Sequence, residues 1–461
     1  MEIVIPESVG IPSSALLKLL EELEKIEYLN SLILMRHGKR CLECFVKPYS
    51  RDMPHQLFSL SKSFTSCAIG LAQAEGKLKI SDKLISFFPE YTDRITDDRM
   101  RDVSLRDLLT MQSGHLDCAK KYFKTSDWVG DYLASPLDTA PGAVFAYNSG
   151  ATYMLAAVIR RVSGENVREY LQPRLFTPLG ITPGIWECCP RGTNCGGWGL
   201  YLTTDDIAAF AQLLLQHGKW NNKQVLPEDY CREATQKHAD NSMNTLADWQ
   251  EGYGYQFWRS RHGYRGDGAS GQYAIVLEQE DIAIAVTGCM ENMECVLTAI
   301  WEIILPELSD KNLPEDKESL QKLYEKMNSM AIPVASSNTI HANGWKNFEF
   351  KPNHANINHC SVVWNSELCT LTFAMDGRCE QLRAGFNKFA YSSFQLTDDM
   401  AHPVAAFAHW ENDHTLKVCS FILDGIYRDI WTIDLSNMVE PMKNTEVCAC
   451  FRNTKPRFIL K

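Results

Sequence analysis

Phe58-Ser59-Leu60-Ser61-Lys62-Ser63-Phe64 is the stretch that decides the fold, and an apolar run follows it at Cys67, Ala68, Ile69, Leu71 and Ala72. The run predicts a helix beginning at Ser59. Residues three apart share a helix face, so the Ser59 hydroxyl and the Lys62 amine can meet across one turn. Ser59 would lie at the positive end of the helix dipole. Burial and that dipole disfavour an ammonium ion, which makes a lysine there a usable proton acceptor. A hydroxyl is a weak nucleophile and needs such a neighbouring base. The same spacing also suits a plain helix start with a serine cap and a solvated lysine. The choice between the two rests on the rest of the chain.

Upstream, Ser13 to Glu27 reads as an amphipathic helix with Leu16, Leu17, Leu19, Leu20 and Leu23 on one side. A hairpin follows, Ser31–Arg36 and Arg40–Val46, turning at His37-Gly38-Lys39. Downstream, Ser104 and Asp107 form a capping-box pattern at the start of a helix that stops near Ser113-Gly114. A helix from about Thr152 to Val162 ends at Ser163-Gly164, and another starts at Thr203 and ends at His217-Gly218. Strands are expected at Tyr273–Leu277 and Ile282–Thr287, and a packed helix at Cys295–Leu305. A polar, proline-interrupted stretch after Leu308 leads into a connecting helix from Glu315 to Met330. Beyond Pro333 the texture changes to short alternating runs between turns such as Asp376-Gly377 and Asp424-Gly425, the pattern of a β-rich module.

The chain has 461 residues, which favours two domains over one core. A formal net charge of −11 argues against nucleic acid or an anionic membrane as the main partner. No apolar run reaches the length of a membrane span. The N-terminal segment Met1–Glu7 lacks the basic and apolar regions of a secretory signal, so a cytoplasmic location is expected. The sixteen cysteines are scattered, many in apolar contexts, and read as reduced, buried small hydrophobes. Cys41/Cys44 and Cys188/Cys189/Cys195 have no matching second pair or nearby histidine, and neither group is expected to bind zinc. His354, His359, His402, His409 and His414 are likewise expected to be packing or surface residues.

Three motifs, in order, make residues 1–310 resemble the serine β-lactamase and penicillin-binding-protein superfamily, nearest to the class C-like branch that also holds esterases and D-amino-acid peptidases. They are Ser59-Leu60-Ser61-Lys62; Tyr147-Asn148-Ser149 after Pro141-Gly142; and Gly266-Asp267-Gly268-Ala269. Leu108-Leu109-Thr110, Gly196-Gly197-Trp198 and Gly252-Tyr253-Gly254 frame them. The resemblance implies an α/β (α+β) domain: an antiparallel sheet flanked by helices plus an all-helical lobe. A helical linker at 311–333 and a smaller β-rich C-terminal domain at 334–461 would follow it. It implies Ser59, Lys62 and Tyr147 as catalytic residues, and the backbone N–H groups of Ser59 and Ala269 as the oxyanion hole. Ser149, Arg265, Gly266, Asp267 and Gly268 would bind substrate. No metal and no cofactor is implied.

Two positions depart from the family pattern. Ser149 stands where an asparagine is usual, and Gly266 stands where a lysine or histidine is usual. That cation normally helps hold a substrate carboxylate, so either Arg265 or His262 would have to replace it from beside the strand. The departures favour an esterase- or peptidase-like hydrolase of a small-molecule or short peptide acyl substrate. β-Lactamase or D-Ala carboxypeptidase chemistry, and a low-turnover binding or sensor protein on the same scaffold, remain the alternatives.

Overall fold

The computed structural model of the chain describes all residues except 1, 27, 118–123, 338–340, 351–355, 376, 396–399, 437–441 and 449–461. His354 and Asp376 therefore lie outside the described residues. Contacts divide the chain into two compact units: Met1–Cys44 with Pro54–Thr287 and Asn292–Ser329, and Phe45–Met53 with Gly288–Glu291 and Met330–Lys461.

In the first unit, helix α1 (Ser13–Leu23) turns Leu16, Leu19, Leu20 and Leu23 inward. It stops one turn short of the expected Glu27. The hairpin strands β1 (Leu29–Arg36) and β2 (Lys39–Phe45) meet at His37 and Gly38, both in the left-handed region, as a two-residue hairpin turn requires. Helix α2 (Ser61–Ala74) follows Ser59. Helix α3 (Ser149–Ser163) starts three residues before the expected Thr152, because the Asn148 side chain caps it by accepting from Gly150 N–H. Its end at Gly164 is left-handed, as the sequence predicts. Both capping boxes form: Ser104 with Asp107 before the helix Leu105–Leu109, and Thr203 with Asp206 before α4 (Thr204–Leu215).

Four further strands complete a sheet: β3 (Trp258–Arg259), β4 (Tyr264–Gly268), β5 (Gln272–Leu277) and β6 (Ile282–Gly288), in the order β2-β1-β6-β5-β4-β3. The pairs β3/β4, β4/β5 and β5/β6 are antiparallel. Every residue of β1, β5 and β6 is buried, as in a sheet covered on both faces. The expected helix at Cys295–Leu305 is composite, α-helical over Glu294–Ala299 and π-helical over Ile300–Ile304. Helix α5 (Lys317–Ser329) occupies the expected connector. It buries Leu320 and Leu323 and packs along α1, where Lys326 reaches Glu24 at 2.5 Å.

The second unit is built on a nine-stranded sheet of β7 (Gly344–Glu349), β8 (Ile357–Trp364), β9 (Leu368–Met375), β10 (Arg378–Phe386), β11 (Ala390–Phe394), β12 (His402–Trp410), β13 (Thr415–Ile422), β14 (Tyr427–Asp434) and β15 (Met442–Cys448). Neighbours in sequence pair antiparallel, except that β10 and β11 do not pair with each other; β10 instead meets β12 in parallel at Gly385↔Phe407 and Phe386↔Ala408, and β11 pairs antiparallel with β12. Alternate residues of β8 and β9 point into a core with Phe373, Leu382 and Trp431, the period-2 pattern of a one-sided sheet. Lys47 joins this unit through Lys47 N–H to Met330 O (3.0 Å) and Ile332 N–H to Lys47 O (2.7 Å). The unit therefore includes segments that a boundary at residue 334 does not contain.

Candidate active site

Ser59 sits in a short 3₁₀ turn, Phe58–Leu60, that feeds α2. The turn is tightly held. His55 and Gln56 pair with Tyr201 and Leu202, Leu57 N–H donates to Leu200 O (2.8 Å), and Leu200 N–H donates to Ser61 Oγ (3.2 Å). Phe58, directly before Ser59, has φ 47°, a conformation a bulky side chain adopts only under constraint.

Lys62 is buried, and its Nζ bonds to Ser59 Oγ at 2.8 Å, Ser149 Oγ at 3.1 Å and Gly197 O at 2.8 Å. Each comes from a different part of the first unit. Ser149 is the first residue of α3 and is placed by the Asn148 cap. Gly197 is delivered by a loop passing so close to α3 that a Cβ on Gly196 would lie 2.6 Å from Ala156 Cβ, and one on Gly197 would lie 3.1 Å from Ser149 O. The Tyr147 ring lies against the same amine, its centroid 4.8 Å from Lys62 Nζ. Tyr147 stacks on Trp258 (5.4 Å) and meets Tyr253 edge-on (6.2 Å), so an aromatic wall fixes the ring.

Strand β4 lies against the Ser59 turn. A Cβ on Gly266 would fall 2.4 Å from Leu60 Cδ1, and one on Gly268 would fall 2.1 Å from Leu57 O. Only glycine lets the strand approach this closely. Leu60 and Ser63 therefore occupy the space into which a lysine or histidine at position 266 would project. Ala269 follows Gly268 in the turn to β5. Because β3 pairs only with Tyr264 and Arg265, Gly266–Gly268 has no further strand partner on that side among the described residues.

Neither expected replacement for the family cation sits at Gly266. Arg265 is fully buried and lies on the other face of β4. Its Nε donates to Asp267 Oδ2 (3.0 Å), its Nη1 donates to Asp248 O (2.9 Å) and Ser260 Oγ (2.5 Å), and it packs over Trp249 (4.3 Å). His262 packs on Trp301 (5.2 Å). Burial lifts the Asp267 carboxyl from its ordinary value to about 6, although Arg265 and, more remotely, Lys62 pull it down.

Sequence reasoning missed Gln256. Its Nε2 donates to Leu108 O (3.1 Å) and Leu109 O (2.9 Å), its Oε1 accepts from Thr152 Oγ1 (2.6 Å), and its backbone O accepts from Ser63 Oγ (2.9 Å). One buried residue thus ties α2, α3 and the helix Leu105–Leu109 together. Its only signal in the sequence is its place beside Gly252-Tyr253-Gly254.

This set of motifs on this sheet is that of the serine β-lactamase and penicillin-binding-protein superfamily. Residues 31–288, more than half of the chain, match the family model described as beta-lactamase, and the chain belongs to that family. It is 22% identical over 312 residues to penicillin-binding protein 4 of Amycolatopsis lactamdurans, covering 57% of this chain and 79% of the relative. It is 27% identical over 155 residues to a beta-lactamase of Escherichia coli, covering 33% and 40%. It is 27% identical over 161 residues to lovastatin esterase of Penicillium rubens, covering 30% and 40%, so it spans less than half the length of these last two. Among solved structures, SurE superposes with a TM-score of 0.52 at 16% identity over 88% of this chain and 96% of SurE. A beta-lactamase-like protein from Bacteroides dorei gives 0.51 at 16% identity over 61% and 96%. At these identities the structural likeness establishes the fold alone. The relatives place the chain, at a coarse level, among serine hydrolases.

Proposed function

We propose that this protein hydrolyses an ester or amide through an acyl-Ser59 intermediate. One observation carries the reading: Lys62 Nζ lies 2.8 Å from Ser59 Oγ while Ser149 Oγ and Gly197 O can take its protons. Gly197 O can only accept, and the Ser149 hydroxyl can accept as well. A neutral amine that donates to both turns its lone pair to the Ser59 O–H.

Ser59 Oγ then attacks the substrate carbonyl carbon and its proton passes to Lys62. The negative oxygen forms between the N–H groups of Ser59 and Ala269, where each such donor is typically worth about 10²–10³ in rate. Tyr147, against Lys62, relays a proton to the departing oxygen or nitrogen, and the alcohol or amine leaves. Water adds to the acyl-enzyme, the ester bond to Ser59 breaks, the acid is released and the hydroxyl regains its proton. The open edge at Gly266–Gly268 suits the backbone-like part of the acyl group.

The packing of Leu60 and Ser63 at Gly266, with Arg265 committed to Asp267, supports an acyl substrate that needs no carboxylate anchor. It favours an ester or amide over a β-lactam or an acyl-D-Ala peptide. A fluorophosphonate probe and a short-chain nitrophenyl ester test the proposal. Wild type is expected to label and turn over, and Ser59→Ala is expected to do neither. Failure of wild type to label, or label that survives Ser59→Ala, would overturn it. A persistent acyl adduct on Ser59 without release would support the low-turnover sensor reading instead.

A further inference from the structure

Helix α3 carries a second feature on the stripe that begins at Ser149. Tyr153, Ala157, Arg160 and Arg161 follow at helical spacing, and they line a concavity of about 400 Å³ whose opposite wall includes Phe88, Tyr91 and Val129. Arg160 lies roughly 16 Å along the helix from Ser149, so this concavity is separate from the Lys62 cluster.

Most of the charge around it is matched. Arg191 pairs with Asp127 at 2.8 Å, Arg94 pairs with Asp127 at 2.7 Å and reaches Asp131 at 3.9 Å, and Arg161 pairs with Glu90. Arg160 differs. Its hydrogen bonds both leave from Nη1, to Thr193 Oγ1 (2.7 Å) and Arg191 O (3.1 Å), and both partners are neutral. Among the described residues no carboxylate pairs with it, and its Nε and Nη2 have no protein partner. Those two atoms form the side-on fork of a guanidinium, which matches the two oxygens of a carboxylate. Four arginines face three carboxylates here, in a chain whose net charge is −11. A single surplus positive charge suits a monoanion better than a dianion. The partly exposed Tyr91 and Val129 side chains give that anion an apolar edge, and the volume is that of a small-ligand site.

We propose that this concavity binds a small organic carboxylate, its carboxyl forked on Arg160 and its apolar body against Tyr91 and Val129. Trp128 touches Tyr153 (5.2 Å) and Trp198 (6.0 Å), and Trp198 follows Gly197, the carbonyl that holds Lys62. The site is therefore joined to the Ser59 cluster by packed rings.

The test is calorimetric titration of benzoate into Ser59→Ala protein, with inorganic phosphate as the comparison anion and tryptophan fluorescence as a second readout. This choice makes binding independent of whether Ser59 is a nucleophile. Saturable 1:1 benzoate binding with a change in tryptophan emission is expected. Arg160→Met in the same background should weaken it about tenfold or more, the value of a charge-assisted pair, and Arg160→Lys should fall between. Arg160 is exposed, so circular dichroism of the variant is expected to match the parent. Absence of saturable binding, unchanged affinity in Arg160→Met, or phosphate binding as tightly as benzoate would each overturn the proposal.

Discussion

Gly268→Ala is the sharpest test of how this site is built. The new methyl would lie 2.1 Å from Leu57 O and 3.2 Å from the Leu57 carbonyl carbon, where carbon atoms ordinarily sit about 3.5–4 Å from their neighbours. The obstacle is backbone, and it is backbone in use: Leu57 O accepts from Leu60 N–H at 3.1 Å and closes the turn that carries Ser59. No rotamer change relieves the clash, so β4 must retreat by about 1 Å and take Ala269 with it. A displacement of that size at a reacting centre costs about 10²-fold in rate, and overpacking of this kind costs about 1–3 kcal/mol of stability. Gly266→Ala supplies the control. Its methyl would meet Leu60 Cδ1 at 2.4 Å and Ser63 Oγ at 2.8 Å, both side-chain atoms able to move. It should cost about 1 kcal/mol and a smaller part of the activity. Ester hydrolysis and denaturant unfolding of both variants would measure the difference. An unchanged kcat/KM in Gly268→Ala, or greater damage in Gly266→Ala, would refute the argument that β4 positions Ala269 through its contact with Leu57.

The raised Asp267 carboxyl predicts a pH dependence of stability. The folded chain holds this proton more tightly than the unfolded chain, so its contribution is complete below about pH 4 and is lost as pH rises through about 6. Two pH units correspond to about 3 kcal/mol, so wild type should lose up to that much relative to Asp267→Asn between pH 4 and 7. His55, whose pKa burial lowers to about 4, titrates in the same window but is common to both proteins. A pH-independent difference between the two unfolding free energies would show that Asp267 does not titrate as described. Gln256→Leu leaves the Thr152 hydroxyl and two carbonyl contacts without their partner. It should cost about 2–3 kcal/mol and lower kcat more than it raises KM. Wild-type stability in this variant would mean that Gln256 does not join the helices.

Much of the site was legible because its chemistry is local or ordered along the chain. Ser59 and Lys62 are three residues apart, Tyr147 and Ser149 flank a helix cap, and Gly266 and Gly268 alternate on one strand face. Helix ends with side-chain caps, at Ser104 and Thr203, were legible for the same reason. The Asn148 cap went unread, and the start of α3 was placed three residues late. The environments of Arg265 and Gln256 were not legible, because both are decided by residues distant in sequence. Asp248 and Ser260 turn Arg265 away from Gly266, and Leu108 and Thr152 engage Gln256. No spacing rule anticipates that Gly266 is small to admit Leu60.

The order of strands in the first unit also bears on how the chain is made. Strand β1 lies between β2 and β6, and roughly 250 residues separate it from β6. The Leu29–Arg36 strand is wholly buried in the finished protein. At translation speeds of about 5–20 residues per second, its second edge waits some tens of seconds for a neighbour. During that interval an apolar strand with unpaired N–H and C=O groups is a template for association with other chains. The nine-stranded sheet of the second unit carries no comparable delay, since nearly every strand there pairs with the one made just before it. The slow step in folding this protein should therefore be closure of the β1–β6 seam, and it cannot begin until residue 288 has left the ribosome.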